Sequence, residues 1–342
     1  MPRQELVVQG SSGLIYQANQ QRRQQRFVRR SQPAPLTIEA NSRAPAILWW
    51  LLKLRFLETQ HFARLLYRPG SLKYAERQLR SLYDHGYLER FPSPIIRQWG
   101  SVQSQFGASR VVHCLAERGV RFLASELGLA RRDLDWQPRH NRQPGNLAHT
   151  LALNDFLIMA LMGAQQVGWM LEIVQTEREI NQSGGYDRVT DPLTGQIVSV
   201  KPDSVCRLLL APSQGIYFSV ELDRGTEGPE KIKAKVRAHA AHFTSGAYTK
   251  RHQTTSSRIL FVVADVRDPL RARPLTEVEW QESIRARCEQ LKHWTELAIP
   301  GERRDLFWFA PAFALSPQTL YHAAVWQRAG LEGDSALVVS TT

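Results

Sequence analysis

The sequence predicts an α/β (α+β) chain in two folded parts: a small helical unit with a strand pair, then a larger mixed-sheet domain. Three observations carry that expectation. With 342 residues, the chain has room for about two ordinary domains. Residues 45–130 hold short amphipathic helical patterns that give way to β-branched and aromatic runs. Residues 131–147, RRDLDWQPRHNRQPGNL, are polar with two prolines and a glycine and read as a linker. Beyond them, from 148 to 330, apolar strand-like runs alternate with long helical patterns.

Residues 1–44 read as a disordered basic arm. QANQQRRQQRFVRRSQPAPL is rich in Gln, Arg and Pro and has few core-forming side chains. Arg22, Arg23, Arg26, Arg29 and Arg30 could lie along a phosphate backbone, or the segment could be an ordinary solvated tail. AILWWLLKLRFL then suits a buried helix, and ETQHFARLLY a second. In YRPGSLKYAERQLRSLYDHGYLERF, Pro69 and Gly70 break the chain and Ser71 is placed to cap a third helix. Leu72, Ala75, Leu79 and Leu82 form its apolar stripe, so Lys73, Tyr74, Arg77 and Arg80 are left for the outer face. Gly86 ends it, and YLERF reads as a strand. IIRQWGSVQSQFG, with Arg97, and SRVVHCL, with Arg110, read as two strands around an exposed turn. LAERGVRFLASELGL closes the unit with a helix.

Helix, helix, basic helix and two-stranded hairpin is the order of a winged helix-turn-helix, whose third helix enters the major groove. The candidate contacts to double-stranded DNA are therefore Lys73, Tyr74, Arg77, Arg80, Arg97 and Arg110. A charged face that is merely solvated, or a protein-binding domain, would give the same pattern.

In the second part, HTLALNDFLIMALMGAQQV reads as a helix and GWMLEIVQTEREI as a strand. The Gly- and Asp-rich NQSGGYDRVTDPLTGQ reads as a loop. VCRLLL and GIYFSV form a hairpin, and GPEKIKAKVRAHAAHFTSG a helix. RILFVVADV, EVEWQESIRARCEQLKHW and DLFWFAPA give strand, helix and strand. Residues 331–342 are expected to fray.

The net charge of +12 favours a polyanionic partner, because each cation placed on a phosphate releases counterions. The apolar run AILWWLL is too short for a bilayer, which takes about 20 residues. The N-terminus lacks the basic-then-apolar order of a secretory signal. Cys114, Cys206 and Cys288 are isolated, which fits a reduced compartment. The expectation is a cytoplasmic protein with no membrane association.

One end of the VCRLLL/GIYFSV hairpin gathers three carboxylates: Asp203, Glu221 and Asp223. An α-β-β-β-α-β series with acids at its strand ends resembles the PD-(D/E)XK, or restriction-endonuclease-like, nucleases. Pro202-Asp203 matches the family's PD pair, and Glu221 the acid of the next strand. The resemblance implies Mg²⁺ or Mn²⁺ held by Asp203, Glu221 and Asp223 beside a scissile phosphate. Its usual lysine is replaced by Asp223, so a lysine of the following helix (Lys231, Lys233 or Lys235) or Arg224 would have to act instead. The catalytic candidates are Asp203, Glu221, Asp223, Lys231 and Lys233. A decayed site kept for binding, or acids that serve only as ion-pair partners, would leave the same sequence.

KPD…ELDRGTE…KIKAKV, with LAERGVRFLA and AHTLALNDF before it, is similar to the replication-relaxation family of plasmids and other mobile elements. That resemblance implies DNA handling in replication or transfer. No Walker loop, GxGxxG or HExxH motif is present. His239 and His242, three apart on a helix, with His252 following, could bind a metal, but with no Cys near they read rather as part of a surface basic helix. The rival expectation is a non-catalytic winged-helix regulator whose second domain serves protein interaction. A homodimer or a mobile-element partner protein is compatible with either.

Overall fold

The computed structural model describes residues 27–39, 41–93, 111–134, 136–137, 147–182, 184–211, 214–264, 275–299 and 301–338. These fall into two compact units, one ending at Gln137 and the other beginning at Leu147.

The first unit begins with α1 (Arg43–Leu54), where Ser42 Oγ accepts from Ala44 N. Ile47, Leu48, Leu51 and Leu54 face inward at helical spacing. A two-residue strand, β1 (Leu57–Glu58), stands where the sequence places the end of one helix and the start of the next, and leads into α2 (Thr59–Leu66). α3 (Leu72–Asp84) buries Ala75, Leu79 and Leu82. Leu72, expected in the same stripe, is 39% exposed at the first helical position. Ser71 holds the cap position, but its hydroxyl makes no capping bond. Gly86, at φ 77°, turns the chain into β2 (Leu88–Pro92). β3 (Val111–Leu115) pairs antiparallel with both β1 and β2, and α4 (Glu117–Glu126) follows. The strand expected over 95–107 lies outside the described residues.

Part of the expected disordered arm is folded onto α3. Tyr83 Oη donates to Phe27 O, and Arg80 Nη2 to Val28 O at 2.8 Å. Arg29 reaches the carbonyls of Tyr83 and Leu88 and the Glu89 carboxylate, and Arg30 N donates to Asp84 Oδ1. In the expected linker, Arg131–Asp133 forms a 3₁₀ turn, and Leu134 and Trp136 are buried.

The second unit opens with α5 (Leu147–Gln166), then β4 (Met170–Thr176) and the short α6 (Glu177–Ile180). By length and composition α5 could cross a membrane, but 78% of its apolar window is buried. The stretch read as a loop forms a separate hairpin, β5 (Asp187–Thr190) and β6 (Ile197–Val200). The expected hairpin follows as β7 (Ser204–Ala211) and β8 (Gln214–Asp223). Next come α7 (Pro229–Thr244), α8 (Ala247–His252), β9 (Ser257–Val263), α9 (Glu277–Ala298) and β10 (Phe307–Pro311). The small β11 (Trp326–Arg328) and β12 (Asp334–Ser335) complete the sheet.

The strand order is β12-β11-β10-β9-β8-β7-β4. β4, β7 and β8 form an antiparallel meander, and β9 and β10 add in parallel. Side chains alternate across the sheet. Ile259, Phe261 and Val263 therefore meet Ile232 and Val236 of α7 and Ile284, Cys288 and Leu291 of α9. Leu260, Phe218 and Val220 face the other way, lining a small apolar cavity with Phe156 and Ala160 of α5. The C-terminal stretch expected to fray is packed as far as Val338: Leu337 is 1% exposed, and Val338 N bonds Tyr321 O.

Candidate functional site

The β7–β8 register places the acids. Ser204 pairs with Val220, so one step further Asp203 stands across from Glu221. Asp203 ties itself there: its amide donates to Val220 O, and its Oδ2 accepts from Leu222 N at 2.7 Å. Its other oxygen, Oδ1, is 3.1 Å from Nε2 of His149 in the first turn of α5.

Glu221 is buried, its side chain 2% exposed, and both its oxygens have partners on α7. Lys235 Nζ is 2.9 Å from Oε2, and His239 Nε2 is 2.7 Å from Oε1. Lys235 also lies 3.1 Å from Glu227, which Lys231 contacts at 2.6 Å. Burial alone would push the Glu221 carboxyl up, but the Lys235 charge and the His239 hydrogen bond overcome it and hold the group below its ordinary value. The same balance runs the other way at Lys235: burial opposes its charge, and Glu221, Asp203 and Glu227 together raise its pKa well above normal. At His149, burial is likewise outweighed by the bond to and charge of Asp203, with Glu177 adding to them, and the pKa is raised.

Asp223 does not join this group. Arg287 of α9 holds it in a bidentate pair at 2.8 and 3.0 Å, and Gly225 N donates to it at 3.0 Å. The three acids that looked convergent in sequence are thus divided: Asp203 and Glu221 stay together, while Asp223 is a buried structural partner. Lys233 bonds Glu230 at 3.0 Å, away from Glu221. Of the three helix lysines, it is Lys235 that faces the acids. Among the described residues no group of three or more His, Cys, Asp or Glu side chains is placed to hold a metal ion.

The histidines of α7 also differ from expectation. His239 and His242 are 4% and 7% exposed rather than on the surface, bonded to Glu221 and Asp187. Lys235, His239 and His242 follow i, i+4, i+7 beside the core positions Ile232, Val236 and Ala240, a spacing that could have marked them as inward-facing.

In the first unit, Lys73, Tyr74 and Arg77 are exposed on α3, and the Arg77 guanidinium lies 5.0 Å over the Tyr74 ring. Arg80 is turned inward instead, its Nε 2.8 Å from the buried Asp84 carboxylate and its Nη2 on Val28. Arg97 and Arg110 lie outside the described residues.

A helical unit built around a three-stranded sheet, followed by a mixed sheet with an acid–lysine–histidine cluster at a strand end, defines the class: a two-unit α/β protein. The chain belongs to the replication-relaxation family, whose sequence profile matches residues 48–257, more than half of its length and the whole of the cluster. That membership points to plasmid or mobile-element replication or transfer. Comparison with curated proteins and with solved structures gives no significant match.

Proposed function

We propose that this chain handles duplex DNA in the replication or transfer of a mobile element, binding through α3 and cleaving a strand at the Asp203–Glu221–Lys235 cluster. The observation that carries the reading is the joining of Asp203 and Glu221 across β7 and β8, with Lys235 supplied from the next helix. The α5-β4-β7-β8-α7-β9 order, with an antiparallel meander and a parallel fourth strand, supports a restriction-endonuclease-like arrangement. Helix, strand, helix, helix and a β1-β3-β2 sheet support a winged helix in the first unit.

The donor set offers a hard divalent cation the carboxylate oxygens of Asp203 and Glu221, from which Lys235, now ion-paired to Glu221, would have to shift to make room for the metal. Mg²⁺ or Mn²⁺ held by Asp203 and Glu221 would supply Lewis-acid polarisation of a phosphodiester. The protein's own contributions are separable. His149 orients Asp203, and His239 orients Glu221. Lys235 offers an ammonium to charge developing on a phosphate oxygen. The saturation of both Glu221 oxygens favours one rival, a non-catalytic regulator in which the pair is structural. Incubating supercoiled plasmid with wild type and Asp203→Asn, in Mn²⁺ and in EDTA, separates the readings. Nicking by wild type in Mn²⁺ alone supports cleavage; no nicking, with DNA binding intact, supports the regulator.

A further inference from the structure

The β5–β6 hairpin has no part in the scheme above, yet it is firmly held. Asp191, 2% exposed, takes three hydrogen bonds of 3.0–3.1 Å from Arg237. Asp187 accepts two bonds of 2.6 Å from Arg251 and lies 2.8 Å from His242 Nε2. Val189 and Val200 pack on Ala238 beneath. The hairpin is therefore clamped to α7, the helix that carries Lys235 and His239. Both its acids are consumed by the clamp.

What the hairpin turns to solvent is cationic and apolar. Arg188 and Lys201 are exposed, and Lys201 Nζ lies 4.1 Å over the Tyr186 ring. At the turn, Leu193 and Ile197 are 73% and 72% exposed. That turn is closed by Asp191 N on Gln196 O, Gly195 N on Asp191 O and Leu193 N on Asp191 Oδ1. Single exposed aliphatic side chains are ordinary. Two of them on one braced turn, backed by cations that have no ion pair among the described residues, match the wedge with which DNA-bending proteins enter a base step.

We propose that the β5–β6 hairpin is a duplex-DNA wedge: Arg188 and Lys201 take phosphates while Leu193 and Ile197 press between base pairs and unstack one step. This rests on the DNA-binding reading, so its test reads unstacking apart from binding. Duplexes carrying 2-aminopurine, whose fluorescence rises when it unstacks, are titrated with the whole protein. Wild type should bind with a clear fluorescence gain. Leu193→Ala with Ile197→Ala should lose the gain while keeping affinity within about threefold and the same salt slope, because no phosphate contact is removed. Arg188→Ala with Lys201→Ala should lower the salt slope by about two and keep the gain at saturation.

Saturation of the duplex by wild type without a gain, or a gain retained by the Leu193/Ile197 variant, overturns the wedge alone. Self-association that disappears in that variant, with fluorescence unchanged, assigns the tip to a protein contact and also overturns it. Failure of wild type to bind any duplex overturns the DNA reading and the wedge together.

Discussion

Lys235 Nζ lies 2.9 Å from Glu221 Oε2 while His239 Nε2 lies 2.7 Å from Oε1, so one buried carboxylate is held by two groups of a single helix. Removing one member of such a set leaves a charge buried without its partner. Glu221→Gln should therefore destabilise the apo protein by roughly 3 kcal/mol in urea denaturation, and abolish any cleavage. Unchanged or raised stability would mean that the acids repel one another and are relieved only by a metal.

The three lysines of α7 should separate cleanly. Lys231→Ala and Lys233→Ala remove exposed or edge ion pairs and should change stability by less than about 1 kcal/mol. Lys235→Ala should cost clearly more, because Glu221 loses its nearest cation. Equal midpoints for all three in urea would remove Lys235 from the cluster.

On α3, the two arginines have different work. Arg77→Ala should lower the salt slope of duplex binding by about one without altering the melting temperature. Arg80→Ala should lower the melting temperature, because Asp84 and Val28 lose a donor and the Phe27–Arg30 segment loosens. Binding isotherms and thermal melts of both variants check the division.

Acidification should weaken the fold before the carboxylates titrate. Burial, with the Arg90 charge, lowers His113 to about 3; burial, with His242 and Arg251, lowers His252 to about 4. Below about pH 6.5 the unfolded chain binds protons that the folded chain refuses, so stability falls as pH falls. Each histidine contributes at most ~1.4 kcal/mol per pH unit in that window. Denaturation at pH 7.5, 6.0 and 5.0 should show the slope, and His113→Gln should flatten it.

Much of this was legible because periodicity reports burial. Ala75, Leu79 and Leu82 at helical spacing, and the apolar runs of β7 to β9, gave the elements and their order. The acids at positions 203 and 221 followed from strand ends and one turn. Partner choice was harder to read. Asp223 shares a face with Glu221 by alternation, but Arg287, 64 residues away, captures it, and no local pattern announces that contact. Phe27–Arg30 looked solvated because its hold on α3 is made largely by backbone groups and arginines rather than apolar side chains. The β5–β6 hairpin was hidden by four-residue strands of mixed polarity among turn-forming residues.

Single-turnover nicking of supercoiled plasmid in Mn²⁺ tests the cluster most directly, with wild type, Lys235→Arg and Lys233→Ala compared at saturating protein. The expected result is nicking by wild type and Lys233→Ala, abolished by EDTA, and a loss of at least about tenfold in Lys235→Arg, where a planar guanidinium replaces a compact ammonium. Loss in Lys233→Ala with Lys235→Arg fully active would contradict the assignment of Lys235, and bound plasmid left intact by wild type in Mn²⁺ would contradict cleavage itself.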